Sequence, residues 1–359
     1  MRNVRLLAWI LFMGQMSAAW GQTAAVPAAS NNADRRVALD VVVTDKAGNP
    51  VPGLQQSDFT ILDDKQPQTI LSFHATDETA KADESPQQAI FVIDEVNGST
   101  RPVSNARQQL EKFLRRGDGQ LPIPMSLVFL TDQGTQVLGA ATRNGNSLAD
   151  SLKSHDSSLR EVGRSAGFYG AVERIQTSLS ALEKLTVYEA RQPGRKLLIW
   201  LSPGWPLLSG PNSTLSEKNQ DTIFHTIVRL STNLRVARVT LYSVDPLGMD
   251  DAAGFQTFYY KNFLKGVPSA NKVESGDVGL QVIATQSGGQ VLNRSNDIAG
   301  SIAGCVADAK VYYTLSLAAA AADHPNEYHN LQIKIGRPGL TARTRTGYYA
   351  QRLDVAKQR

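Results

Sequence analysis

Ala89-Ile90-Phe91-Val92-Ile93-Asp94-Glu95-Val96-Asn97 decides the fold. Five apolar residues run without a polar break and stop at an acid. A strand buried on one face alternates apolar with polar; a strand buried on both faces does not. The run therefore predicts a central strand of a parallel sheet, with Asp94 where its carboxyl end opens into a loop. Runs of the same kind recur at Met125–Leu130, Lys196–Leu201 and Arg238–Val244. A third strand is predicted at Gln136–Ala140 and a short one at Gly289–Leu292. Helical periodicity fills the intervals. Val103, Ala106, Leu110, Phe113 and Leu114 share one face of Val103–Arg116. Phe168, Ala171, Val172, Ile175, Leu179, Leu182 and Leu185 share one face of Phe168–Tyr188. Further helices are expected at Ser147–Leu152, Asp221–Leu234, Asp277–Thr285 and Asn296–Ala309. Strands alternating with helices predict a mostly parallel sheet covered on both faces, an α/β doubly wound domain spanning 88–309.

Both flanks are β in character. Val37–Thr44, Phe59–Leu62 and Thr69–Phe73 make an N-terminal β segment over 36–77, with the polar turn Asp63-Asp64-Lys65-Gln66-Pro67 inside it. Val311–Leu317, Tyr328–Ile335 and Thr341–Tyr349 make a C-terminal β segment over 310–350. Neither is long enough to bury a core alone. The expectation is one small β domain built from both, with the α/β domain inserted between them. Asp77–Gln88 reads as a linker, and Gly248–Gly276 as an irregular, aromatic-rich insertion.

The first residues read as a leader. Arg2 and Arg5 precede the apolar Leu6–Met13, and Ala19-Trp20-Gly21 supplies small residues for cleavage before Gln22. Residues 1–21 are thus a signal peptide and 22–35 a disordered linker. The mature chain is expected to be exported, to the periplasm or outside the cell, with no transmembrane helix after signal removal. A net charge of +4, reduced by loss of the two leader arginines, excludes a phosphate-neutralising nucleic-acid binder. Hydrophobic content of 42% and charged content of 19% describe a chain that folds. The single cysteine, Cys305, excludes an internal disulfide or thiolate metal cluster and is expected to be buried.

Four stretches together carry a family resemblance. They are Val51–Phe59 with the Asp63-Asp64 turn; Phe91–Asn97; Leu241–Pro246 with Ala284–Gly289; and Arg337–Leu340 through Arg345-Thr346-Gly347-Tyr348-Tyr349-Ala350. In this order they resemble the bacterial proteins described as VWFA-related and abundant in Acidobacteria. These are exported and carry a von Willebrand factor A-type domain. The resemblance implies a von Willebrand factor A-like α/β fold with ligands bound at the carboxyl ends of the strands. It also implies a metal-ion-dependent adhesion site there, with Mg²⁺ as the one cofactor the pattern would admit. That pattern is Asp-x-Ser-x-Ser after the first strand, a Thr in a second loop and an Asp after the fourth strand.

Position by position, this chain departs from it. Asp94 holds the first aspartate. The serine positions fall on Val96 and Gly98, which offer no side-chain oxygen. The threonine position falls on Ala166 or, with a one-residue slip, Ser165. The third loop, Ser202-Pro203-Gly204-Trp205, has no carboxylate. The metal site is therefore degenerate, with Asp94, Asn97, Ser99 and Ser165 as its remaining candidate ligands. The alternative is an Asp94 that accepts backbone N–H bonds from its own loop. Glu95 and Trp205 are the candidate ligand-binding residues, Trp205 if it is exposed on its loop; the alternative is a Trp205 folded over the sheet edge.

Gly163-Arg164-Ser165-Ala166-Gly167 also fits the nucleophile elbow G-x-S-x-G. The polar lead-in Ser157–Val162 is not the apolar strand that motif requires. His324 and His329 flank Glu327 and are expected to be solvated. With no complete catalytic constellation, the expected function is a non-catalytic protein-binding or adhesion-type module. It would use the loops at the top of the A-type domain on a protein or cell-surface ligand. A structural subunit of an envelope assembly is the alternative, and a serine hydrolase using Ser165 the third reading.

Overall fold

The computed structural model describes residues 36–77, 87–155, 167–206, 215–250 and 259–351. The leader and linker, Ser165 and Ala166, and Phe255 and Phe258 of the insertion lie outside them. The strands are β1 (Arg36–Thr44), β2 (Phe59–Asp63), β3 (Gln66–Gln68), β4 (Ser72–Thr76), β5 (Gln87–Asp94), β6 (Gln120–Thr131), β7 (Gly134–Asn144), β8 (Arg195–Leu201), β9 (Val239–Val244), β10 (Val291–Leu292), β11 (Tyr312–Ala318), β12 (Glu327–Ile335), β13 (Thr341–Arg343) and β14 (Gly347–Ala350). The α-helices are α1 (Thr100–Leu114), α2 (Gly145–Ser154), α3 (Gly167–Glu189), α4 (Glu217–Val236), α5 (Leu280–Gln286) and α6 (Ile298–Ala307).

The decisive run is β5, and its side chains divide between two cores as the pattern requires. Ala89, Phe91 and Ile93 join Val103, Ala106 and Leu110 of α1 and Ile302 of α6. Ile90 and Val92 join Leu182 and Leu185 of α3 and Leu230 and Leu234 of α4. β8 repeats the division, with Leu197, Ile199 and Leu201 on the first face and Leu198 and Trp200 on the second. Each such side chain contributes roughly 1.5–3 kcal/mol by leaving water. The sheet has six strands in the order β10-β9-β8-β5-β6-β7. Neighbours pair in parallel except β7, which runs antiparallel to β6. Counted from β5, this is a doubly wound order that reverses between β5 and β8. The crevice at their carboxyl ends is where such sheets take ligands.

The two chain flanks form a sandwich of two four-stranded sheets, β13-β1-β11-β4 and β14-β12-β2-β3. β1 pairs with β11 and β2 with β12, so neither flank closes a sheet alone. Their inner faces share one core, with Val37, Leu39 and Val41 against Ile61, Leu331 and Tyr348.

Thr341–Tyr349 is not the single strand expected from its sequence. β13 pairs with β1 and β14 with β12, in different sheets. Between them Thr344–Thr346 turns the corner, as strands that switch sheets do. Polar contacts to the α/β layer hold that corner: the Thr346 amide donates to the Gln286 carbonyl at 3.1 Å. The insertion is likewise tied in. Val267, Val273 and Val278 pack on Phe224, Ile227 and Val228 of α4 and on Tyr349 of β14. Tyr349 Oη donates to the Val267 carbonyl at 3.0 Å.

Candidate functional site

The loop after β5 begins with two acids of opposite circumstance. Asp94 is 1% exposed. Its Oδ1 accepts the backbone N–H groups of Val96 at 3.1 Å and Asn97 at 2.8 Å. Asn97 Nδ2 lies 3.2 Å from Oδ1 and 2.9 Å from Oδ2. Trp200 Nε1, reaching across from β8, donates to Oδ2 at 2.9 Å. Asn97 Nδ2 also donates to Ser178 Oγ of α3 at 2.8 Å, which ties the loop to the second face of the sheet.

These contacts decide the fit of a metal. A Mg²⁺ ion asks for near-octahedral oxygens. A carboxylate has about four lone-pair directions, and here N–H donors occupy them. Ser99 sits at the N-cap of α1 without a side-chain cap bond, and its carbonyl accepts the Val103 amide at 3.2 Å. At Gly98 a Cβ would come within 2.8 Å of Val103 Cγ2 and 2.9 Å of the Asp94 carbonyl oxygen. Loop and helix therefore pack too closely for the serine that the adhesion pattern places there. The described residues Asp94, Asn97 and Ser99 do not assemble a divalent site. Asp94 instead organises its own loop.

Glu95 differs in every respect. It is 4% exposed, and neither carboxylate oxygen has a hydrogen-bond partner among the described residues. Asn97 Oδ1 is buried in the same condition. So is Gln281 Oε1 of α5, whose side chain lies against Gly204 of the loop after β8. Trp205 is not the exposed contact that one of its two readings expects. It is 4% exposed and packs edge-on to Trp200, with ring centroids 5.4 Å apart, so it is a core residue. The apolar second face of the sheet accounts for that, and leaves its Nε1 buried without an acceptor. The loops after β5 and β8 and the start of α5 thus hold several buried acceptors without a donor among the described residues. Burying such groups unpaired costs about 1–3 kcal/mol each, and more for a charge.

The described residues around this crevice contain no nucleophile–base pair. Cys305 is buried in the first-face core, and desolvation holds its thiol far above the usual range. Asp245, after β9, accepts the Leu247 amide at 2.9 Å.

The sandwich holds a second polar cluster that the sequence reading missed. His329 was expected in solvent; it is 8% exposed. Its Nδ1 lies 3.1 Å from Asp63 Oδ1 and 3.3 Å from Asp64 Oδ2. Tyr348 Oη donates to Asp63 Oδ2 at 2.7 Å, and its ring stacks on His329. Alternation along β12 was the available signal, since His329 shares the inward face with Leu331. One ligand atom from each of Asp63, Asp64 and His329 lies within 4.8 Å of the others, a set that suits a transition metal. Asp63 is already engaged by His329 and Tyr348, while His329 Nε2 is buried with no hydrogen-bond partner among the described residues.

Comparison with known proteins leaves the fold to rest on its own strand order. No family profile matches the chain, and no curated protein does. Among solved structures, it is similar to an aerotolerance-related membrane protein from Bacteroides fragilis, at 11% identity and TM-score 0.34, over 62% of this chain and 98% of that one. The SpRpn10 VWA domain is matched at 14% identity and TM-score 0.27, over 60% and 94%. Human COPII-coat protein Sec24c is matched at 10% identity and TM-score 0.33, over 78% and 46%. Overlaps this loose carry no argument about function.

Proposed function

We propose that this chain is an exported, VWFA-related binding module. It takes a cationic group of a protein or cell-surface partner at the carboxyl end of its sheet, without a metal and without catalysis. The observation that carries the reading is Glu95. Its buried carboxylate has no hydrogen-bond partner among the described residues and directly follows β5, one of the two strands between which the order reverses. Asn97 Oδ1 and Gln281 Oε1 are further buried acceptors without a donor among the described residues. A lysine or arginine side chain supplies the donors and the charge this set requires. Export rests on the Arg2–Gly21 leader pattern.

The test is thermal unfolding with arginine amide, lysine methyl ester or the neutral N-acetylalanine amide. The two cations are expected to raise Tm saturably by a few degrees, in EDTA as well as without it. The rise should vanish in Glu95→Gln. A wild-type chain indifferent to both cations would remove this reading and leave the crevice as interior structure.

A further inference from the structure

The amino end of the sheet presents the opposite electrostatic problem. Arg345 sits at the corner between β13 and β14 and is 7% exposed. Among the described residues its guanidinium makes no hydrogen bond and no ion pair. Arg343, two residues earlier, shows how this fold treats an arginine it pairs internally. Arg343 Nη2 donates to Asp308, Nη1 donates to the Gly288 carbonyl at 2.7 Å, and the guanidinium lies over the Tyr242 ring.

The corner is held tightly, so Arg345 is not free to swing out. A Cβ at Gly288, which has φ +92°, would come within 2.7 Å of the Thr344 carbonyl carbon and 2.8 Å of the Arg345 amide nitrogen. Thr344 Oγ1 donates to the Asp40 carbonyl at 2.9 Å. Arg345 lines a small, partly open polar cavity with Arg235 at the end of α4, Arg238 before β9, Asp40 of β1 and Thr240. The one carboxylate there is already taken: Asp40 receives Arg238 Nη2 at 2.5 Å and the Thr314 hydroxyl at 3.0 Å. Three guanidinium groups thus share the cavity with a single carboxylate.

We propose that this cavity is a binding site for a small inorganic oxyanion, phosphate or sulfate, held by Arg345 with Arg235 and Arg238 beside it. The planar fork of a guanidinium matches two oxygens of such an ion. A buried charge with no counter-ion costs several kcal/mol, and an oxyanion removes that cost. Desolvation, then Arg235, pulls Arg345 down to about 10, which is the signature of a cation short of negative charge. The small space between β1, β9 and the corner suits a free ion rather than a bulkier phosphorylated ligand. Bound there, the anion clamps the sandwich to the α/β layer.

Equilibrium dialysis of the mature chain against labelled phosphate or sulfate decides the matter. One saturable site per chain is expected. Saturating phosphate or sulfate should raise Tm by about 5 °C over chloride at equal ionic strength. Arg345→Met should abolish uptake and the phosphate response while leaving Tm in chloride unchanged or higher. Arg345→Lys should weaken uptake about tenfold. Should Arg345→Met not fold, Arg235→Gln should weaken uptake in its place. The proposal falls if the wild type shows no saturable uptake of either anion. It also falls if chloride protects equally, or if Arg345→Met binds as wild type does.

Discussion

The two ends of the central sheet fail to balance in opposite directions. At the carboxyl end, Glu95 and Asn97 present buried acceptors without donors. At the amino end, Arg345 presents buried donors without an acceptor. Each has a neighbour whose needs are met inside the chain. Asp94, one residue before Glu95, is bonded by Val96, Asn97 and Trp200. Arg343, two residues before Arg345, is bonded by Asp308 and Gly288. The paired members join separate parts of the chain: β5 to β8 in one case, the sandwich to α6 and the sheet in the other. The unpaired members have no hydrogen-bond partner among the described residues. Folded proteins leave few buried polar groups unsatisfied. Such groups at both ends, beside saturated neighbours, are the arrangement expected where partners come from outside.

The comparison breaks most visibly at Asp94. Asp94→Ala leaves the Val96 and Asn97 amides and the Trp200 indole N–H buried without an acceptor. Urea unfolding is expected to show a loss of about 3–5 kcal/mol. Glu95→Gln removes an unpaired charge and should cost nothing, or stabilise by about 1 kcal/mol. Equal losses at the two positions would mean that Glu95 has an internal partner and that the contrast is false. The amino end gives a smaller version. Arg343→Met strips Asp308 of its cation but leaves the Tyr242 hydroxyl, 2.7 Å away. A loss of about 2 kcal/mol is expected, against none for Arg345→Met in chloride.

Paired and unpaired members were not equally legible in the sequence. Continuous apolar runs at Ala89–Ile93 and Lys196–Leu201 announced strands buried on both faces, because burial on both faces erases alternation. The short β flanks announced their mutual dependence by being too small to close alone. The break in Thr341–Tyr349 was not legible. A strand that changes sheets keeps its β character on both sides of the corner, and with arginines at both 343 and 345 nothing in the stretch marks the place. Asp94 was legible as the first loop acid, and its capping role was one of two readings left open. One of two readings made Trp205 an exposed contact, because Pro203, Gly204 and Pro206 look like a surface loop. Nothing local told that Trp200 would reach across to Asp94 and give Trp205 a ring to pack on. Such pairings lie 106 residues apart and depend on strand order, which spacing along the chain does not encode.

A pH series sharpens the amino-end picture at lower energy. Asp277 lines the neighbouring cavity with Arg345. Desolvation raises its carboxyl to about 6, although the Glu274 amide donates to it at 2.7 Å. The raised value means that the folded state holds this proton more tightly than the unfolded state. The contribution is full below about pH 4 and is lost as pH rises through about 6. Asp277→Asn should therefore stabilise at pH 7 by about 1 kcal/mol, after screening by the cavity's own solvent, and do little at pH 4. Denaturant midpoints at the two pH values measure this directly. A gain of the same size at both would show that ionisation of Asp277 is not its source.

The smallest expected effect tests the departure from the adhesion-site pattern. Mg²⁺, Mn²⁺ or Ca²⁺ in excess over EDTA should move Tm by less than about 1 °C. A bound ion at 100 times its dissociation constant would add about 2.7 kcal/mol, or about 5 °C for a chain of this size. The reason for expecting so little is local. Trp200 Nε1 and the Asn97 amide already point hydrogens at the oxygens an ion would need, and the Gly98–Val103 approach leaves no room for a serine ligand. A shift of several degrees that disappears in Asp94→Ala would mean that this loop opens to take metal. Asp94 and Glu95 would then act as one site. A shift that survives Asp94→Ala and disappears in His329→Gln would instead move the metal to the sandwich, where Asp63, Asp64 and His329 converge. Either result would redraw which carboxylate at the carboxyl end is satisfied from within the chain, and so which end of the sheet meets its ligand through a metal.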